Sequence, residues 1–196
     1  MNAATYYNNA LRTANLFNSD LDRMHAFLGM MSEVGELADI LKRKIAYGKP
    51  IDAVHFLEEA GDALWYVPLL LKSCDGDEVL FSAIVEECLK HAPDVVNAAN
   101  DERREVEESD FVLVTGAVVS LSDILSQKEN IVDGLGMFIL SLSAMLVSQG
   151  LTLEDAMEKN IAKLQARYPD KFTVEAALHR DLERERSALE GSNEAA

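Results

Sequence analysis

Histidine, cysteine and positive charge are all in short supply in this chain. There are four histidines in 196 residues. His25, His55, His91 and His179 are scattered, and each reads as a surface or packing residue. No Ser/His/Asp or Cys/His arrangement points to nucleophilic catalysis. The two cysteines, Cys74 and Cys88, are not spaced as a metal pair; they fit a reducing compartment, with a disulfide left open. No GxxxxGK(S/T) loop is present, which argues against a P-loop nucleotidase. Lys and Arg number 18 against 34 Asp and Glu, a net charge of −16. No basic stripe offsets that charge, so nonspecific nucleic-acid binding is not expected. The N-terminal stretch MNAATYYNNALRT lacks an apolar signal region, and no run is read as reaching transmembrane length. The expectation is a soluble cytoplasmic protein with no membrane partner. Convincing strand alternation is missing too. The Val-rich run FVLVTGAVVS (111–120) could be a strand by composition, but its helical neighbours place it as a buried helix.

Two short acidic clusters are present instead. Glu33 and Glu36 lie in MMSEVGELADILKRK, and Glu59 and Asp62 in HFLEEAGDALWYVPLLL. Each pair is spaced i,i+3, which predicts both carboxylates on one side of a helix. Leu37, Ile40 and Leu41 accompany the first pair, and Phe56, Leu64, Leu69 and Leu70 the second, so each adjoins a core-facing stripe. The turn YGKP (47–50) would fold the two helices into a hairpin and gather the four carboxylates. Crowded carboxylates near a core repel one another and lose hydration, and hard divalent cations offset that cost. A lone ExxE is ordinarily a solvated face, but two such pairs beside apolar stripes point to a site. Each pair also encloses a glycine, Gly35 or Gly61. Glycine inside a helix costs about 1 kcal/mol relative to alanine, so both are expected to permit close approach of a helix or ligand. All-carboxylate coordination suits Mg2+, with Mn2+ as a substitute.

The periodicity predicts an all-α helical bundle in a single domain, 1–196. Residues 1–18 form a short helix or an arm that packs on the body. A long helix runs from Asp20 to Ala46, ended by Gly48 and Pro50. Asp52 caps the next, which continues through Leu71 with Pro68 bending or breaking its last turns. CDGD (74–77) reads as a turn, and a third helix spans Glu78 to Ala98 unless Pro93 splits it. The run DERREVEESD (101–110) is a solvated first turn or connector. Apolar helices follow at about 111–127 and 130–148, separated by SQKEN (126–130). Thr152 and Asp155 suggest a weak cap for a helix through Arg167. The turn YPDKF (168–172), a last amphipathic helix at about 174–189 and a loose tail, GSNEAA, complete the chain. GELADILKRK (35–44) also resembles VSLSDILSQK (119–128), and EEAGDALWYVPLLL (58–71) resembles ENIVDGLGMFILSL (129–142). Asp62 then lies over Asp133, while Ser120 replaces Glu36 and Asn130 replaces Glu59. This echo is either a degenerate duplicated hairpin at about 111–149 or a chance likeness of apolar helices.

The strings GMMSEVGELAD, EEAGDALWYV and NIAKLQARYPDKF together resemble the MazG-like, all-alpha nucleoside triphosphate pyrophosphohydrolases. That superfamily includes the dimeric dUTPases and the phosphoribosyl-ATP pyrophosphohydrolases. Its motif, ExxE then ExxD, reads here as Glu33-x-x-Glu36, 22 intervening residues and Glu59-x-x-Asp62. The wider match covers about 23–72 and 150–180. The resemblance implies Mg2+-dependent cleavage of a nucleoside triphosphate, more narrowly a deoxynucleoside triphosphate, between the α- and β-phosphates. It implies Glu33, Glu36, Glu59 and Asp62 as metal ligands, with Glu58 as an outer acid or water-positioning base. It also implies nucleotide or phosphate contacts from Asn160 and Lys163, with Arg167 on the same helix face. The alternative for Lys163 and Arg167 is a favourable charge near a helix C-terminus. Lys44, like Lys42 and Lys49, could reach phosphates. Tyr66, four residues after Asp62, could stack on a base, as could Trp65, which otherwise reads as a core contact. Tyr168 and Phe172 read as packing residues.

The chain departs from the short members of that family in one respect. Blocks 58–72 and 150–168 are normally close together, and here about 75 residues intervene. An internal pseudo-copy would supply packing in cis and leave one acid cluster per chain. A homodimer is also expected, because apolar helices such as 131–147 need cover. Two other functions stay open on the sequence: phosphoribosyl-ATP pyrophosphohydrolase, and a non-catalytic helical partner protein whose acids only solvate a surface.

Overall fold

A computed structural model describes residues 1–99, 106–126 and 131–191, and every regular element among them is a helix. The acidic hairpin is built as its caps dictate. Asn18 accepts a hydrogen bond from the Leu21 N–H to start α2 (Ser19–Tyr47), and Gly48 ends it in the left-handed region at φ 62°. Asp52 accepts from the N–H groups of Val54 and His55 to start α3 (Ala53–Lys72). The two helices pack along their length. Met30, Val34, Leu37 and Leu41 are buried on α2, and Phe56, Ala60, Ala63, Leu64 and Val67 on α3. Pro68 does not end α3, because burial of Val67 through Leu71 holds its last turn in place.

The remaining helices frame this hairpin. They are α1 (Ala3–Arg12), α4 (Glu78–Ala99), α5 (Val106–Ser126), α6 (Ile131–Ser148), α7 (Leu153–Arg167), α8 (Val174–Leu178) and α9 (Leu182–Glu190). Pro93 lies within α4 without splitting it. Helix α6 packs against α4 and α5, and α5 rests on α2. Helix α7 docks on α3, with α1 and α9 against its flanks. The α7 cap is a complete capping box: Thr152 accepts from the Asp155 N–H, and Asp155 accepts from the Thr152 N–H.

Several expectations need correction. The last amphipathic helix is two helices, because Asp181 accepts from the Arg184 N–H and caps α9 afresh. Residues 106–110 of the charge run form the first turn of α5, in agreement with the first-turn reading. Residues 100–105, 127–130 and 192–196 lie outside the described residues, and with them parts of the charge run, SQKEN and the tail, and Asn130. The second hairpin, α5–α6, exists, but its register does not copy the acid environment. Ser120 is buried where Glu36 is exposed, and buried Ala117 stands over Glu33. Helix α6 is, by length and composition, long and apolar enough to cross a membrane, with 18 residues at mean hydropathy 1.9. Just over half of it is buried, against α4 and α5, and Met137 and Val147 on it are exposed. A further exposed apolar stripe lies on α2, at Leu21, Met24, Leu28 and Met31.

The two motif glycines also part ways. A Cβ at Gly61 would lie 2.8 Å from Asn160 Cβ and 2.9 Å from the Ala156 carbonyl oxygen, so α7 sits directly on α3 there. A Cβ at Gly35 would meet nothing within 4 Å, so no helix approaches closely at that position. Gly61→Ala should therefore destabilise the fold by about 1–3 kcal/mol, and Gly35→Ala should stabilise it by up to about 1 kcal/mol. Urea denaturation of both variants checks this; equal effects of the same sign would contradict the packing described.

Candidate metal centre and cleft

Three helices contribute one stripe each. On α2, His25, Gly29 and Glu33 recur every four residues and share a face. On α3 the stripe is Glu59, Asp62 and Tyr66, and on α7 it is Asn160, Lys163 and Arg167. Gly29 makes room for an aromatic wall, since a Cβ there would overlap the Tyr66 ring. Gly61 lets Asn160 reach the acids from α7.

One carboxylate oxygen from each of Glu33, Glu59 and Asp62 lies within 4.8 Å of the others. Both oxygens of Asp62 are held: Asn160 Nδ2 donates to Oδ1 at 2.7 Å, and Lys163 Nζ donates to Oδ2. Lys163 also donates to Glu58 Oε1 at 3.2 Å. Its side chain is 1% exposed, against 28% for Asp62 and 21% for Glu58. The Tyr6 O–H, buried on α1, is 3.3 Å from Asn160 Oδ1 and 3.4 Å from the Gly61 carbonyl, so α1 backs the closing asparagine. Burial first, then the charge of Asp62 and the hydrogen bond with Glu59, push the Glu33 carboxyl up to about 8, while Lys163 draws it partly down. Burial and Asp62 likewise raise Glu59. Lys163 brings one positive charge to four carboxyl groups. This donor set fits a hard divalent cation held by Glu33, Glu59 and Asp62.

The structure joins the late motif to the acid cluster, with Asn160 and Lys163 both on Asp62. It does not bring in Glu36, which is exposed one turn beyond Glu33 and outside the group of three. Glu58 faces Lys163 and His55 and does not line the cleft. Lys44 is eleven residues past Glu33, about 16 Å along α2, and it does not line the cleft either.

The cleft itself, about 500 Å³, opens beside Glu33 and Asp62. Phe17, His25, Trp65 and Tyr66 line it, as do Tyr168 and Phe172, so the last two do more than pack a turn. The His25 ring is edge-on to Tyr66 at 5.6 Å and to Trp65 at 6.4 Å, and Trp65 Nε1 donates to Thr13 Oγ1 at 3.0 Å. His25 Nδ1 is buried with no hydrogen-bond partner. Burial, then Glu33 and Asp62, push the Tyr66 hydroxyl up to about 12. Arg167 and Arg180 line the cleft as well, both gripping Glu185 of α9. The Arg167–Glu185 bonds are bidentate at 2.8 and 2.6 Å. Burial alone would raise Glu185, but the two guanidiniums outweigh it and hold the carboxyl at about 2. His25 was detectable from its four-residue spacing to Gly29 and Glu33. Tyr6, Arg180 and Glu185 carried no comparable signal.

Compared with protein-family models, curated proteins and solved structures, the chain matches none.

Folding favours the protonated form of Glu33, which titrates near 8 folded against an ordinary 4.5. Its contribution to stability is complete below about pH 4.5 and is lost as pH rises through about 8. In chelator, Glu33→Gln should therefore gain stability over wild type progressively across that window. Urea denaturation against pH reads the difference, and a gap independent of pH would contradict the placement of Glu33 among the acids.

Proposed function

We propose that the chain is a metal-dependent pyrophosphohydrolase that cleaves a nucleoside triphosphate, in particular a deoxynucleoside triphosphate, between its α- and β-phosphates. The observation that carries this reading is a single cleft joining three unlike surfaces. The carboxylates of Glu33 and Asp62, the guanidiniums of Arg167 and Arg180, and the rings of Phe17, His25, Trp65 and Tyr66 all face it. A nucleoside triphosphate has the parts that such surfaces bind: phosphates with their cation, further anionic oxygens, and a flat base.

In this reading Glu33, Glu59 and Asp62 hold Mg2+, with Mn2+ as a substitute. When bound, such an ion neutralises phosphate charge and activates water. Lys163 and Asn160 orient Asp62 by occupying both of its oxygens. Glu58 balances Lys163, and Glu36 is assigned no direct contact. Arg167 and Arg180 stabilise negative charge on the leaving pyrophosphate. Tyr66 and Trp65 form the base wall, with the His25 ring edge-on to both.

The test is product analysis on a panel of ribo- and deoxynucleoside triphosphates, with Mg2+ and with chelator. The expected products are monophosphate and pyrophosphate, formed only with the metal. Asp62→Asn and Lys163→Met should each lower kcat/KM by about 100-fold or more. Release of orthophosphate, or turnover that survives chelation, would overturn the reading.

A further inference from the structure

On the outer face of α2, Leu21, Met24, Leu28 and Met31 are 49%, 60%, 61% and 50% exposed. Their spacing alternates between three and four residues, the repeat of a coiled-coil seam. The same repeat continues through Gly35, Ala38 and Lys42. None of the four large residues lines the cleft. The other side of α2 is already covered by α3 and α5, with Met30, Val34, Leu37 and Leu41 buried. The seam is therefore a second apolar face that no described helix of the chain covers. Its two halves differ in size: Leu21 and Met24 stand near the N-terminal end, Gly35 and Ala38 toward the C-terminal end. Gly35 weakens a helix interior, and a Cβ there would meet nothing within 4 Å, so packing inside the chain does not account for it.

We infer that this face of α2 binds the same face of a second copy of the chain, with the two helices antiparallel. A two-fold axis between Leu28 and Met31 makes the seam self-complementary, as an isologous interface requires. Leu21 then lies over Ala38 of the second copy, Met24 over its Gly35, and Leu28 over its Met31. Each of the outer two layers sets a large side chain against a small one. Charge is matched as well. Lys42 is the one cation in the seam, and in its own chain it bonds Asp39. In this register it falls on Phe17 and Asp20 of the second copy, an exposed ring and an exposed carboxylate. Parallel pairing would instead set glycine against glycine and lysine against lysine, leaving a void and a like-charge contact. The inference does not depend on the reaction proposed above.

Sedimentation equilibrium of the full chain tests it, and the expected mass is twice 21.6 kDa. Leu28→Glu places two carboxylates at the centre of the seam and should return the mass to 21.6 kDa. Leu28 is exposed, so the helical circular dichroism and its melting should be retained. Leu178→Glu, at an exposed leucine on α8, should leave the dimer intact. Met24→Glu should also give a monomer, and adding Gly35→Lys to it should restore the dimer, because the two positions meet only across the antiparallel pair. A chain that is monomeric at every concentration reached leaves the seam to a different protein and overturns the inference. A dimer that survives Leu28→Glu, or a Met24→Glu monomer that Gly35→Lys does not rescue, overturns it too.

Discussion

A buried ammonium group against carboxylates from another helix is the interaction on which the site depends. Lys163 is 1% exposed and bonds to both Glu58 and Asp62. A lysine so buried is tolerated only when paired, and removing one partner of such a pair typically costs about 3–5 kcal/mol. The pair therefore fixes α7 against α3. Gly61 allows the approach, Asn160 takes the second oxygen of Asp62, and Tyr6 backs Asn160 from α1. Three helices distant in sequence thus converge on one carboxylate.

The same arrangement leaves an excess of negative charge. One ammonium faces four carboxyl groups, and the protein accommodates the imbalance by keeping Glu33 protonated up to about 8. A proton and a divalent cation are alternative solutions to one electrostatic problem. The arginine wall is balanced differently. Arg167 and Arg180 are both satisfied by buried Glu185, which presents them to the cleft in a set geometry.

Much of this was legible in the sequence because helical periodicity and capping chemistry are local. The spans of α2, α3 and α7 follow from apolar spacing and from Asp52, Thr152 and Gly48. The link from Asn160 and Lys163 to the acid cluster rested on the family resemblance, not on spacing. Glu36 shows where spacing runs out. Residues three apart on a helix differ by about 60° around its axis, so the core boundary can pass between them. It does so here, leaving Glu33 half-buried and Glu36 exposed. Gly35 falls on the exposed side of the same boundary. Arg180 was hidden for another reason: it reaches the cleft because Asp181 restarts the helix and Glu185 holds the guanidinium, and both depend on tertiary packing.

The central claim is that Glu33, Glu59 and Asp62 form a cation site whose geometry Lys163 and Asn160 set. The most direct measurement is anomalous X-ray scattering at the manganese edge from crystals grown with Mn2+. The account predicts a peak within coordination distance of a carboxylate oxygen from each of the three residues. Crystals that bind Mn2+ only elsewhere, or a structure in which Lys163 points away from Asp62, would contradict it.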